Sequence, residues 1–137
     1  MVDPHELEAI ERSVDKAETM LAAAGRSLKT AQSIASADPD SALLLAWDGI
    51  AFQALAANLA IAGYRVTSQV GHHRVAVDAG RLTLGEEGLL SRIDRLRRTR
   101  GRGMYESEAA EKEEVKEALD DCEELIKLVR SAAARAR

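Results

Sequence analysis

Aromatic residues are nearly missing from this chain: one Trp, two Tyr and one Phe among 137 positions. A core without aromatic bulk has to be assembled from Ala, Leu, Ile and Val, which suits closely packed helices. Proline occurs only at positions 4 and 39, each beside an apparent helix start, so no ring interrupts a helix from within. A single cysteine, Cys122, excludes an intramolecular disulfide framework and fits a reducing compartment. The opening "MVDPHELEAIERS" has neither the basic nor the apolar region of a signal peptide, and none is expected. The longest apolar stretch, residues 41–62, is interrupted by Asp48, Gln53 and Asn58. A carboxylate at mid-membrane would cost about 2.5–3.5 kcal/mol. That stretch therefore reads as a helix buried among other helices, with no membrane partner, and the expected location is the cytoplasm.

What is present is an ordinary globular composition, 46% hydrophobic and 31% charged, long enough for one domain over residues 1–137 with a real core. "DPHE" offers Asp3 as a cap, Pro4 at the first helical position and Glu6 three residues after the cap. Leu7, Ile10, Val14, Ala17, Leu21, Ala24, Leu28 and Ala31 then recur at spacings of three and four, which predicts one long amphipathic helix to about residue 36. Asp38 or Asp40 caps a second helix, apolar nearly all round, that stops at Gly63. A short helix over about 69–79 ends at Gly80. Thr83 and Glu86 offer a capping box for a fourth helix, striped by Leu89, Leu90, Ile93 and Leu96 and ended by Gly101 and Gly103. Ser107 caps a fifth, with Val115, Leu119, Cys122, Ile126 and Val129 as its seam, and the final "RSAAARAR" frays. The expected fold is an all-α, up-and-down bundle of about five helices with two long outer ones.

Against a formal net charge of −4, six arginines fall within eleven positions: Arg92, Arg95, Arg97, Arg98, Arg100 and Arg102. Successive helical residues are rotated by about 100°, so the six cannot share one face. One reading is a solvated face neutralised by Glu106, Glu108, Glu111, Glu113 and Glu114. The other is a phosphate-binding patch, for which the rigid guanidinium fork is better suited than lysine. Asp48 sits on the most apolar helix, where an unpaired carboxylate is expensive, so a buried pairing with an arginine of this cluster is expected. His72 and His73 are adjacent, point about 100° apart on a helix, and cannot jointly hold a metal; no metal site is expected. One of them packs or caps by default, or lines a polar groove as an acid or base. His5 belongs to the first turn and is exposed, while Cys122 is a small core filler and not a nucleophile. "GRG" lacks the GxxxxGK[ST] of a phosphate loop, and no hydrolase or Rossmann signature is present.

"SALLLAWDGIAFQALAANLAIAGYRVTSQVGHHRVAV" followed by "IDRLRRTRGRGMYES" resembles the HEPN superfamily, small helical bundles that include toxin ribonucleases and nucleic-acid-binding partners of minimal nucleotidyltransferases. The likeness rests on A-W-D-x-I, the GY exit, GHH and an Arg-rich turn ending in Tyr, over roughly residues 40–130. Active members carry Arg, four to six residues, then His, often as R-N-x-x-x-H-x-Y. With Tyr105 as anchor, the arginine place falls on Arg98 (or Arg100), the asparagine place on Thr99 and the histidine place on Gly103; Asp48 is carried over as a supporting acid. No histidine follows His73. The resemblance thus implies a catalytically degenerate protein that binds RNA, a second copy of itself, or a cognate nucleotidyltransferase-type antitoxin, through Arg95, Arg97, Arg98, Arg100, Arg102 and Tyr105, with no cofactor. The alternative it implies is a metal-independent endoribonuclease of toxin–antitoxin or defence type, using Arg98 or Arg100 with a base recruited from His72 or His73. A purely structural module, its arginines neutralised by the acids at 106–114, is the third reading.

Overall fold

The computed structural model describes residues 7–67, 72–106 and 110–137, with the backbone alone at residue 72 and at 100–106. Among the described residues it is an all-α bundle with one small two-stranded sheet. Strand β1, Leu7–Ala9, pairs antiparallel with β2, Tyr64–Val66, in the register Leu7↔Val66, Glu8↔Arg65 and Ala9↔Tyr64. Helix α1, Val14–Ile34, starts at Ser13, whose hydroxyl accepts from the Lys16 amide at 3.0 Å. Leu7 and Ile10 therefore do not extend its seam, contrary to the sequence expectation; the chain turns at Ser13 and spends those residues on β2 and on Gly63, whose carbonyl accepts from the Ile10 amide. Asp3, Pro4, His5 and Glu6 lie outside the described residues. The rest of the seam holds: Ala17, Leu21, Ala24, Leu28 and Ala31 are buried, and α1 runs through Gly25.

Helix α2, Pro39–Ala62, is capped by Asp38, which accepts from the Ser41 amide. Ser41's side chain and backbone hold the Asp38 carboxyl below its ordinary range. At Ala46–Ala51 the helix widens into a π-helical turn, which packs an extra residue into the turn. A Cβ at Gly49 would lie 2.6 Å from Leu45 Cδ1 and 3.1 Å from Ser27 Oγ, so the missing side chain lets α1 approach this turn. By length and composition α2 could cross a membrane, but more than half of its apolar window is buried in the bundle, as a core helix requires. Gly63, with φ 88°, ends it in the left-handed conformation.

Helix α3, His72–Leu84, runs past Gly80 instead of ending there. Gly80 is buried where α3 crosses α2 and α4, with its φ in the helical range; the turn is made by Gly85, at φ 72°. Thr83 is likewise no cap for the next helix. Its hydroxyl donates to the Ala79 carbonyl and accepts from Asn58 Nδ2 at 2.8 Å, which satisfies the one buried polar side chain among the described residues. Helix α4, Glu87–Glu106, buries Leu89, Leu90, Ile93 and Leu96. It continues through Gly101 and Gly103, because glycine in a helical backbone costs about 1 kcal/mol without forcing the left-handed turn that stops a helix. Helix α5, Lys112–Ala136, begins at Glu111 and not at Ser107, which lies outside the described residues. Its expected seam is buried throughout. Its end does not fray: Ala133 is buried, and the Arg137 guanidinium reaches Asp15 at 3.0 Å and Glu18 at 2.6 Å on α1.

Candidate nucleic-acid interface

The arginines are distributed by the burial of Leu89, Leu90, Ile93 and Leu96, which fixes the rotation of α4. Arg92 turns to α5, its Nε donating to Asp121 at 3.0 Å with Glu124 at 3.7 Å. Arg97 turns to the α3 side, where its Nε donates to Asp94 at 2.9 Å. Asp94 also faces Arg98 Nε at 3.5 Å and Arg81 Nη2 at 4.0 Å, and Arg81 in turn meets Asp78 and Glu87. Arg98 nevertheless stays 65% exposed, and an ion pair at that exposure is worth about 0–1 kcal/mol. Arg95 is exposed and, among the described residues, has no carboxylate within ion-pair distance. The side chains of Arg100, Arg102 and Tyr105 lie outside the described residues.

Arg92, Arg95 and Arg98 form one wall of an open groove of about 880 Å³ between α4 and α5, with Leu43 and Leu96 at its base. The facing wall carries Glu111, Glu114, Glu117 and Asp121. Of the acids expected to neutralise the arginines, Glu111, Glu113 and Glu114 make no ion pair with a described residue; Asp94 and Asp121 take that part instead. Asp94 was legible as D-x-x-R-R, which puts it three and four residues before Arg97 and Arg98 on one helical face. Asp48 corrects another expectation. It is exposed while its neighbours Trp47, Ile50 and Ala51 are buried, so the expected burial of this carboxylate does not hold.

The histidines come to the same end of the bundle by topology. Helices α3 and α4 form an antiparallel hairpin in which Gly80 meets Leu90. At about 1.5 Å rise per residue in each, His72 and His73 lie level with Arg97 and Arg98. The His73 ring packs on Phe52 at 4.5 Å and on Trp47 at 5.5 Å between centroids, and its Nδ1 accepts from Trp47 Nε1 at 2.9 Å. An indole N–H is only a donor, so Nδ1 must supply a lone pair and the neutral ring carries its proton on Nε2. A base needs a free lone pair, and in this arrangement that of His73 is already engaged. Trp47 entered the sequence reading only as part of A-W-D-x-I, with no partner expected for it; a lone Trp in an Ala-rich helix, whose N–H needs a partner once buried, was the available signal.

Cys122 is fully buried, its thiol donating to the Ala46 carbonyl at 3.3 Å. Burial first, and the Asp121 charge second, push the thiol up, away from the reactive thiolate. Native protein is therefore expected to give no reaction with Ellman's reagent over minutes at pH 8, and one thiol equivalent in denaturant; a fast native reaction would contradict this packing.

The chain matches the family model of the HEPN domain over residues 10–132. No curated protein and no solved structure matches it. The match points to a nucleotide- or RNA-related function in the broad sense.

Proposed function

From the premise that this chain belongs to the HEPN domain family, we propose that it acts by binding RNA phosphates at the exposed arginines of α4, without cutting the strand. The observation that carries this is Arg95, exposed and with no carboxylate beside it among the described residues, one turn from the 65%-exposed Arg98. Both are available to an outside anion for little internal cost. Arg92 and Arg97 already hold acids and serve to fix α4. Arg100, Arg102 and Tyr105 follow on the same helix and belong to this reading by sequence alone. Two features support binding over cleavage: glycine stands at position 103, where the family pattern has its histidine, and the His73 lone pair is held by Trp47. Arginine cannot replace the base, since it stays protonated at every working pH. A second copy of the chain is the proposed partner, and the cytoplasm the proposed location. A cognate nucleotidyltransferase-type protein is the other partner this reading allows.

The test is fluorescence anisotropy with a labelled single-stranded oligoribonucleotide between 50 and 200 mM salt. Arg95→Glu with Arg98→Glu should weaken binding about tenfold or more and flatten the log–log salt dependence by about 0.7 for each phosphate no longer neutralised. Unchanged affinity and slope would remove this site. Incubation of wild type with RNA in EDTA should leave the strand intact; cleavage abolished by His72→Ala would replace binding with the ribonuclease reading.

A further inference from the structure

A second groove, of about 610 Å³, lies between α1 and α5 and carries the charge pattern that the arginine groove lacks. The two helices run antiparallel here, Arg137 meeting Asp15 and Glu18 at one end while Gly25 lies against Arg130 further along. Arg26 and Lys29 stand on the α1 wall, Lys127 and Arg130 on the α5 wall, and all four are exposed. Among the described residues Glu123 is the one acid lining it, and it is paired with Lys127 at 3.3 Å. Arg26, Lys29 and Arg130 have no carboxylate of a described residue within ion-pair distance. In a chain of net charge −4, three such cations around one groove are out of proportion to the surface as a whole.

The shape of the charge selects the ligand. On each wall the cations are three residues apart, one turn along the helix, so the groove offers two short rows of positive charge instead of a single point. Rows suit a chain of anions. Guanidiniums on both walls favour phosphate, which their fork matches, over isolated carboxylates. The floor is Leu28 and Ile126 with the small Ala22 and Gly25, and among the described residues no ring lines it on which a base could stack. At about 100° per residue, Lys127 and Arg130 project from the side of α5 opposite Glu114, Glu117 and Asp121, so the acids of the first groove do not oppose a ligand in this one.

We propose that the α1–α5 groove is a second phosphate-binding surface, which holds the backbone of single-stranded RNA without reading its bases. The proposal rests on RNA being the ligand of this chain, as proposed above, and the variants separate the two sites. Arg26→Ala, Lys29→Ala and Arg130→Ala together should raise the Kd for a labelled 20-nucleotide oligouridylate at least tenfold at 100 mM salt. The salt slope should fall by about 0.7 for each of the three cations removed. A control with Arg12→Ala, Lys16→Ala and Arg135→Ala, outside the groove, should change the Kd less than threefold. Gly25→Gln narrows the floor without altering charge and should also weaken binding, since a Cβ there meets only Arg130 at 3.5 Å and the helix tolerates it. Weaker binding by the groove variant with α4 charge reversal silent would keep this inference and remove the α4 site; the converse would overturn the inference alone. Wild type that binds no RNA removes both. Poly-glutamate displacing the RNA as well as unlabelled oligouridylate, at equal charge, would also overturn it by assigning the groove to acidic protein segments.

Discussion

Trp47→Ala should destabilise the protein by about 3–5 kcal/mol, the range for truncating a large buried aromatic. Domains of this size have about 5–15 kcal/mol in total, so the variant should be partly unfolded at 37 °C. Trp47 is fully buried in the π-helical turn of α2, ties that turn to α3 through His73, and packs 5.9 Å from Phe52. Its loss opens a cavity and leaves His73 Nδ1 without its donor. Trp47→Phe separates these effects: an aromatic ring still fills most of the site while the hydrogen bond is lost, so the cost should drop to about 1–3 kcal/mol. Urea unfolding followed by far-UV circular dichroism measures both, because the substitutions remove the sole tryptophan signal. An alanine variant within 1 kcal/mol of wild type would mean that α3 is not held to α2 in the way described.

Gly80→Val should cost about 1–3 kcal/mol, the usual penalty for overpacking, set against less than 1 kcal/mol regained from leaving glycine in a helix. A Cβ at this position would lie 2.9 Å from Leu55 Cδ2 and 3.1 Å from Leu90 Cδ1. Both neighbours are ends of flexible side chains, so a single methyl group is accommodated by small rotations and Gly80→Ala should stay within about 1 kcal/mol of wild type. The two branches of valine leave no such escape between α2 and α4. Thermal midpoints should therefore order as wild type and Gly80→Ala together, with Gly80→Val several degrees lower. Equal midpoints for all three would show that the crossing is looser than its geometry.

The apolar seams were readable because burial and helical period coincide in them. Val115, Leu119, Cys122, Ile126 and Val129 all face inward, as do the four residues of the α4 stripe. The period failed where it ran on by chance. Leu7 and Ile10 continue the spacing of α1, yet a strand paired with residues more than fifty positions away and the local cap at Ser13 override it. Asp48 was misread for the opposite reason. A helix apolar nearly all round does not mark its own outer side, so burial was inferred from composition where the fold leaves the position exposed. Gly80 and Thr83 resembled punctuation and became packing contacts, a difference decided by partners on α2. The arginine cluster was visible at once. That Asp94 and Asp121 would hold two of its members depended on helix rotation and on α5 lying alongside.

Helix α5 carries Glu114, Glu117 and Asp121 toward α4 and Lys127 and Arg130 toward α1, so its own two flanks are of opposite sign. A polyanion drifting near would feel a torque about α5 before touching anything, which turns the Lys127 and Arg130 flank of that helix toward it. Such pre-alignment quickens encounter and fades as the Debye length shortens. Capture of the proposed RNA ligand should accordingly slow with added salt more steeply than its release accelerates.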